Sequence, residues 1–217
     1  MLNEIVFLSQ LGISSFFILL FSRKGVTSFL YPLFFACLFA VNLFVNQEII
    51  LFGLHTTAVE VYSVAMFWIA ATIYSFEGRS GANLLISMTL ISNLFLILMM
   101  FTFRFYQPLE NCIWTHCYDL LTSKMMQSVL ISTGSFLLSY FIERKVFSSI
   151  YKIFFNGVIF SQFVASSIGQ VIDTVIFTVI YFSDKPLIVV FQIGLFAYIV
   201  KLICLSLYAL GSSLSIR

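Results

Sequence analysis

The chain has 217 residues, of which 61% are hydrophobic and 9% are charged, and its formal net charge is +2. Because soluble domains carry roughly 25% charged residues, this composition excludes a soluble globular domain and a disordered chain. So small a net charge provides no basic surface for nucleic acid, which excludes a nucleic-acid-binding protein. A helix needs about 20 apolar residues to cross the hydrocarbon core. Membrane-spanning helices would therefore take up nearly all of the chain and leave no room for a second, aqueous domain.

Apolar stretches between clusters of charged residues predict seven membrane-spanning helices. In chain order they lie at about residues 5–21, 28–45, 57–76, 83–103, 125–142, 157–182 and 187–210. These stretches are too long for barrel strands and do not alternate between apolar and polar positions. The predicted fold class is therefore all-α, a polytopic bundle of about seven transmembrane helices with six in the core and one N-terminal. We expect a single transmembrane domain over residues 1–217, with its core at about 28–210.

Basic residues predict the orientation, because cytoplasmic loops carry an excess of Lys and Arg. With the N-terminus outside and the C-terminus inside, seven basic residues face the cytoplasm: Arg23, Lys24, Arg79, Arg144, Lys145, Lys152 and Arg217. Only Arg104, Lys124 and Lys185 then face outward. The long outer loop, at about residues 104–124, holds Cys112 and Cys117, which either form a disulfide in an oxidising compartment or remain free thiols.

The sixth predicted span contains a buried acid, Asp173, and a charge at the centre of a span costs about 2.5–3.5 kcal/mol on insertion scales. Asp173 belongs to a stripe of residues at helical spacing. The stripe consists of Gln162, Ser166, Gln170, Asp173 and Phe177, with Thr174 and Thr178 beside it. A polar stripe of this kind faces protein or a water-filled cavity, so it favours a functional role for Asp173. Ser166 and Gly169 are more typical of close packing between helices.

Lys201 is the second charge inside a span, and its helix runs antiparallel to the helix of Asp173. The two residues differ in depth by about 7 Å along the helix axes, and a lysine stem of about 6 Å closes much of that difference. An ion pair between them would be either structural or a means of keeping the carboxylate ionised until a ligand arrives. Alternatively, Lys201 extends its ammonium group towards the cytoplasmic interface.

Polar residues in the second, third and fourth spans are further candidates. Glu60 follows His55 and Thr57 at the outer start of the third span, where it either caps the helix or contacts a ligand. His55 is either solvated at the interface or a pH-sensitive gate. Asn42, in the second span, either pairs with a heterocycle or bridges helices, whereas for Asn93 we favour a bridge between helices.

The chain shows no motif of an enzyme: it has no His-Glu-x-x-His, nucleophile elbow, Walker loop or paired intramembrane aspartates. His116 next to the Cys-x4-Cys pair supplies too few ligands for zinc. We therefore expect no catalytic residues, no metal site and no cofactor. Aromatic residues make up 18% of the chain, including 27 Phe, and they suit both lipid contact and stacking on a flat ring.

The segment 165–178 resembles the hallmark S-x-x-x-Q-[LV]-[IV]-D-[TS]-x-[IV]-F of the queuosine-precursor transporters, a vitamin-uptake-like membrane family. Residues 52–57 are similar to that family's G-[FL]-H-T-T stretch, and residues 198–201 to its Y-x-x-K. Asn42 also lies where the family places an Asn. The likeness covers about residues 28–210 and includes the order of the helices.

This resemblance implies a multi-pass importer of the cell inner membrane that carries 7-deazaguanine bases, namely queuine, preQ1 or preQ0. It implies a site near the bilayer midplane, where Asp173 and Gln170 read the base with support from Asn42 and Lys201. The other expected substrate-binding residues are Ser166, Thr174, Phe177, His55, Thr57 and Glu60. The expected partners are the small 7-deazapurine and membrane lipid, with no nucleic acid.

Two other functions remain open at the level of the sequence. The chain would be the substrate-binding membrane subunit of an ATP-driven vitamin-type importer, which needs a separate energising module because no nucleotide motif is present. Alternatively, it is a structural or assembly membrane protein whose polar residues only pack helices. Whether the chain forms a homo-oligomer is also left open.

Overall fold

A computed structural model of the protein describes residues 2–23, 27–103, 105, 115–153 and 157–215. In these ranges the chain forms six long α-helices, all of them long and apolar enough to cross a membrane. They are α1 Leu2–Arg23, α2 Leu30–Phe44, α3 Glu60–Phe103, α4 Thr115–Ile153, α5 Val158–Tyr181 and α6 Leu187–Ser215. A 3-10 turn, Thr27–Phe29, leads into α2. The predicted all-α transmembrane fold is confirmed.

Helix α3 contains two of the predicted spans, because it reverses direction at Gly78. Its 44 residues would measure about 66 Å if straight, twice the thickness of the hydrocarbon core. Gly78 has φ 63° and ψ −143°, a conformation that a residue without Cβ adopts readily. Glu60 and Asn93 line the same cavity, although a straight helix would separate them by about 50 Å. We call residues 60–77 the first arm of α3 and residues 79–103 its second arm. With these two arms counted separately, the described residues form seven segments that cross the bundle.

A short β-hairpin between α2 and α3 is a feature that the hydropathy pattern did not predict. Strand β1, Glu48–Leu51, pairs antiparallel with β2, Leu54–Thr57. The two turn residues between them, Phe52 and Gly53, both have positive φ, as in the tight turns that match the twist of paired strands. Lys185 Nζ lies 2.8 Å from Glu48 Oε1, so the hairpin is tied to the turn that precedes α6.

Apolar and polar residues are distributed as lipid solvation requires. Large apolar side chains such as Leu94, Phe95 and Phe191 are exposed on the outside of the bundle. The interior contains fully buried aromatic residues, including Trp68, which stacks on Tyr208 with ring centroids 6.3 Å apart. Polar residues of α4 and α5 are buried where these two helices pack against each other, so their polar faces are kept away from lipid.

Two sequence-based expectations differ from the structure or lie outside its described part. Helix α4 was expected to begin near residue 125, after the long outer loop, and to end near residue 142, at the charged group Glu143-Arg144-Lys145, yet it begins at Thr115 and continues to Ile153. The expected end was wrong because Glu143 is buried inside the bundle rather than placed in a loop. The proposed pairing of Cys112 and Cys117 concerns side chains outside the described part of the chain.

Candidate functional site

Three charged side chains meet inside the bundle. Lys201 Nζ lies 3.2 Å from Asp173 Oδ2 and 3.7 Å from Glu60 Oε2. The exposed fractions are 9% for Asp173, 6% for Glu60 and 5% for Lys201, so all three are shielded from solvent and lipid. The ion pair that the sequence allowed is therefore formed, and the Lys201 ammonium points to the carboxylates rather than to an interface.

Hydroxyl groups complete the environment of the two carboxylates. Ser135 Oγ donates to Asp173 Oδ1 at 2.9 Å, and Thr57 Oγ1 donates to Glu60 Oε1 at 2.7 Å. The ammonium group of Lys201 also donates to Thr174 Oγ1 at 3.0 Å. With all three charged groups ionised, two carboxylates and one ammonium leave a formal charge of −1. A buried negative charge of this kind favours a ligand that is cationic or rich in N–H donors.

The three charged groups line a cavity that lies between the hairpin and the centre of the bundle. The rings of Phe67, Phe136 and Phe177 form part of its wall. Its volume is about 60 Å³, well below the roughly 300–1,000 Å³ that is usual for ligand pockets. A fused-ring ligand would therefore require the walls to move apart.

A network of amides and hydroxyls joins three helices beside the cavity. Asn42 Nδ2 donates to Asn93 Oδ1 at 2.9 Å, and Asn93 Nδ2 donates to Thr133 Oγ1 at 2.7 Å. Ser132 Oγ donates to Asn42 Oδ1 at 3.3 Å. The expected bridging role of Asn93 is confirmed. Asn93, Ser132 and Thr133 line the cavity. Asn42 does not line it, and its amide group is hydrogen-bonded to Asn93 and Ser132.

The remaining candidate residues lie in three different places. Phe177 lines the cavity with Asp173. Gln170 is fully buried but does not line the cavity, and neither of its amide atoms has a hydrogen-bond partner in the part of the chain that the structure describes. Ser166 donates to Glu143 instead of reaching the cavity. His55 is exposed on β2 and lines an outer groove, so the structure does not bring it to the charged cluster.

Helix α4 contributes polar residues that the sequence analysis missed. Ser132 and Thr133 line the cavity, and Ser135 bonds directly to Asp173. The signal was present in the spacing of one helical face, which carries Ser128, Ser132, Ser135, Ser139 and Glu143 at intervals of four, three, four and four residues. This stripe matches the one on α5, and the two stripes face each other.

A family model described as "Putative vitamin uptake transporter" matches residues 56–210. The match covers well over half of the chain. The chain belongs to this vitamin uptake transporter family. Glu60, Asp173 and Lys201 all lie inside the matched segment. A search of curated proteins and a search of solved structures each gave no match.

Membership of the vitamin uptake transporter family and the membrane-spanning helices together make the chain a multi-pass membrane transporter. A transporter family fits the expectation that the protein is not an enzyme. Among the described residues, the cavity with its charged cluster offers a polar site between the membrane-spanning helices.

Proposed function

We propose that this transporter imports 7-deazaguanine bases, the precursors of queuosine, through a site centred on Asp173. The observation that carries the proposal is a carboxylate, buried with Lys201 and Glu60, on the wall of an aromatic-lined cavity. The resemblance of residues 165–178 to the queuosine-precursor transporters supports the choice of substrate class.

The chemistry of the base suits the unused hydrogen-bonding capacity of the carboxylate. Asp173 accepts one hydrogen bond on each oxygen, from Ser135 and from Lys201. An ionised carboxylate offers about four lone-pair positions, so two remain for N–H groups on the edge of a deazapurine. Phe67, Phe136 and Phe177 offer faces on which the flat ring could stack.

The charge of the cavity favours a base that carries an amine. The aminomethyl group of preQ1 is cationic, and its entry would bring the formal charge of the Glu60–Lys201–Asp173 cluster from −1 to zero. Lys201 lies closer to Asp173 than to Glu60, so Glu60 is the carboxylate with more freedom to pair with the incoming amine. A neutral base would bind through its ring edge alone.

Import requires access to the cavity from both sides of the membrane in turn. In the proposed inner-membrane orientation, the N-terminus and the hairpin face outward, and the reversal at Gly78 faces the cytoplasm. The chain acts as one transmembrane domain in which the helices around the cavity separate alternately towards each side.

The proposal is tested in cells that lack their own transporter for these bases. Cells that express the protein are supplied with queuine, preQ1 or preQ0, and queuosine in tRNA is measured together with membrane expression. We expect Asp173→Asn to be expressed normally and to lower base-dependent queuosine at least tenfold. Asp184→Asn, in the exposed turn between α5 and α6, is the matched control and should have no effect. Wild-type recovery in the Asp173→Asn variant would reject the site.

A further inference from the structure

A third buried acid, after Asp173 and Glu60, lies between α4 and α5, on the Gly78 side of the cavity. Glu143 is 2% exposed, and its Oε1 accepts a hydrogen bond from Ser166 Oγ. Its Oε2 has no hydrogen-bond partner among the residues that the structure describes. None of the described residues forms an ion pair with this carboxyl group, although it lies inside a membrane-spanning helix. Glu143 differs in this from Asp173, which has Lys201 as its counterion.

The charged and titratable groups around Glu143 do not neutralise it. Arg144, the next residue of α4, points elsewhere, with its guanidinium 5.1 Å from the ring centre of Tyr74 on α3 and 5.9 Å from that of Tyr140 on α4. Tyr31 of α2 donates to Glu77 at 2.6 Å. The facing residues of α5, including Ser166, carry no charge at this level.

Buried polar atoms continue from Glu143 towards Asp173. The contacts of Ser135 with Asp173 and of Glu143 with Ser166 fix the register of the antiparallel helices. This register places Ser139 opposite Gln170, midway between the two acids. Ser139 Oγ and both amide atoms of Gln170 are buried and without hydrogen-bond partners within the described residues. Ser166, the partner of Glu143, is seven residues from Asp173 on α5, which corresponds to about 10 Å of helix. The unpartnered atoms of Ser139 and Gln170 lie within this interval.

We propose that Glu143 is the proton-binding group that couples substrate import to inward proton movement. This inference rests on the proposed function, because it assigns a driving force to the same transport cycle. An isolated carboxylate in a low-dielectric interior is strongly disfavoured, so Glu143 holds a proton in the conformation described here. When α4 and α5 separate during the cycle, Ser139 and Gln170 would supply polar partners for a bridging water, and this water would connect Glu143 with the cavity.

The proton follows a balanced route in each cycle. When the cytoplasmic side opens and water reaches Glu143, the O–H bond breaks and the proton leaves to that water, with the electron pair left on the carboxylate. When this side closes and the outer side opens, the carboxylate takes a proton from a hydronium ion that enters the cavity from outside; this leaves a neutral water molecule, and the acid is neutral again. One proton therefore moves inward for each cycle, and no other reactant is required.

The first test needs no ligand. Infrared spectra of the purified protein in lipid are recorded for the wild type, for Glu143→Gln and for Glu48→Gln, which alters an exposed carboxylate on the hairpin. We expect the wild type and the Glu48 variant to share a carboxylic-acid C=O band that the Glu143 variant lacks. An identical acid band in all three proteins would overturn the inference. If Glu143→Gln does not fold, Glu143→Asp replaces it: a shifted acid band supports the inference, and an unshifted band overturns it.

The second test separates coupling from binding in liposomes loaded with labelled preQ1. Because glutamine imitates the protonated acid, Glu143→Gln should exchange internal for external preQ1 within about threefold of the wild-type rate. Its accumulation of preQ1 under an imposed pH gradient should be at least tenfold lower than that of the wild type. Accumulation at the wild-type level, or loss of exchange and accumulation together, would overturn the inference. Absence of transport by the wild type for queuine, preQ1 and preQ0 would instead reject the proposed substrate, while the infrared result would still stand.

Discussion

At the scale of single residues, Lys201 is shared unequally between two acids. Its Nζ is at hydrogen-bond distance from Asp173, at 3.2 Å, but lies 3.7 Å from Glu60. Glu60 is held instead by the hydroxyl groups of Thr56 and Thr57. The excess negative charge of the cluster is therefore located mainly at Glu60, and this residue should decide how strongly the site prefers a cationic ligand.

We predict that Glu60→Gln changes the preference between two bases that share a ring but differ in charge. Loss of the excess negative charge should weaken binding of preQ1, which carries an amine, by about tenfold, equivalent to about 1.4 kcal/mol. Binding of preQ0, which has no such amine, should change less than twofold. Isothermal titration of both bases to the purified protein measures this difference, and equal weakening of both would show that Glu60 does not sense ligand charge.

The polar residues differ in how far the sequence could place them. The stripe on α5 placed Asp173 in the interior, because lipid excludes an unpaired charge. The same reasoning failed for Glu143, which was assigned to a loop because two basic residues follow it. Ser135 was missed because a serine carries no strong signal alone, and its contact with Asp173 depends on the register between two helices.

At the scale of elements, the spans were predictable because only hydrogen-bonded helices or closed barrels satisfy the backbone in lipid. The hairpin was not, since its two strands have four residues each and its turn begins with Phe52, a residue that rarely adopts positive φ. The reversal of α3 was expected as a loop between two spans, and the structure instead makes it at one glycine.

The reversal of α3 predicts a strict requirement at Gly78. A Cβ at φ 63° and ψ −143°, a region adopted almost only by glycine, costs roughly 1–3 kcal/mol, so Gly78→Ala should lower the melting temperature of the protein in detergent. Gly134 provides the matched control, because it lies in α4 and a Cβ there would meet nothing within 4 Å. Gly134→Ala should leave the melting temperature unchanged or raise it, since alanine is favoured over glycine in helices. Equal melting temperatures for Gly78→Ala and the wild type would contradict the described turn.

At the scale of the whole molecule, the two ends of the bundle differ in charge. The end with the Gly78 reversal carries most of the basic residues, and the end with the hairpin carries few. Cytoplasmic loops are the ones enriched in Lys and Arg, so we place the hairpin outside. This orientation also places Glu143 on the cytoplasmic side of Asp173, as inward proton release requires.

Single cysteines introduced at exposed positions, in a variant whose four native cysteines are replaced by alanine, test this orientation. Asp184→Cys lies in the turn beside the hairpin, and Lys145→Cys lies on α4 towards the opposite end. In intact cells, a thiol reagent that does not cross the membrane should label the cysteine at 184 and leave the cysteine at 145 unlabelled. Both should react after the membrane is permeabilised. Labelling of only the cysteine at 145 in intact cells would invert the proposed topology.

The most direct test of a substrate site at Asp173 is uptake of labelled preQ1 by the purified protein alone in liposomes under a pH gradient. We predict that the wild type and Asp184→Asn accumulate preQ1, and that Asp173→Asn is correctly inserted but accumulates at least tenfold less. Uptake only after addition of an ATP-hydrolysing module would assign the chain to a multi-subunit importer. Equal uptake by the wild type and Asp173→Asn would contradict the account.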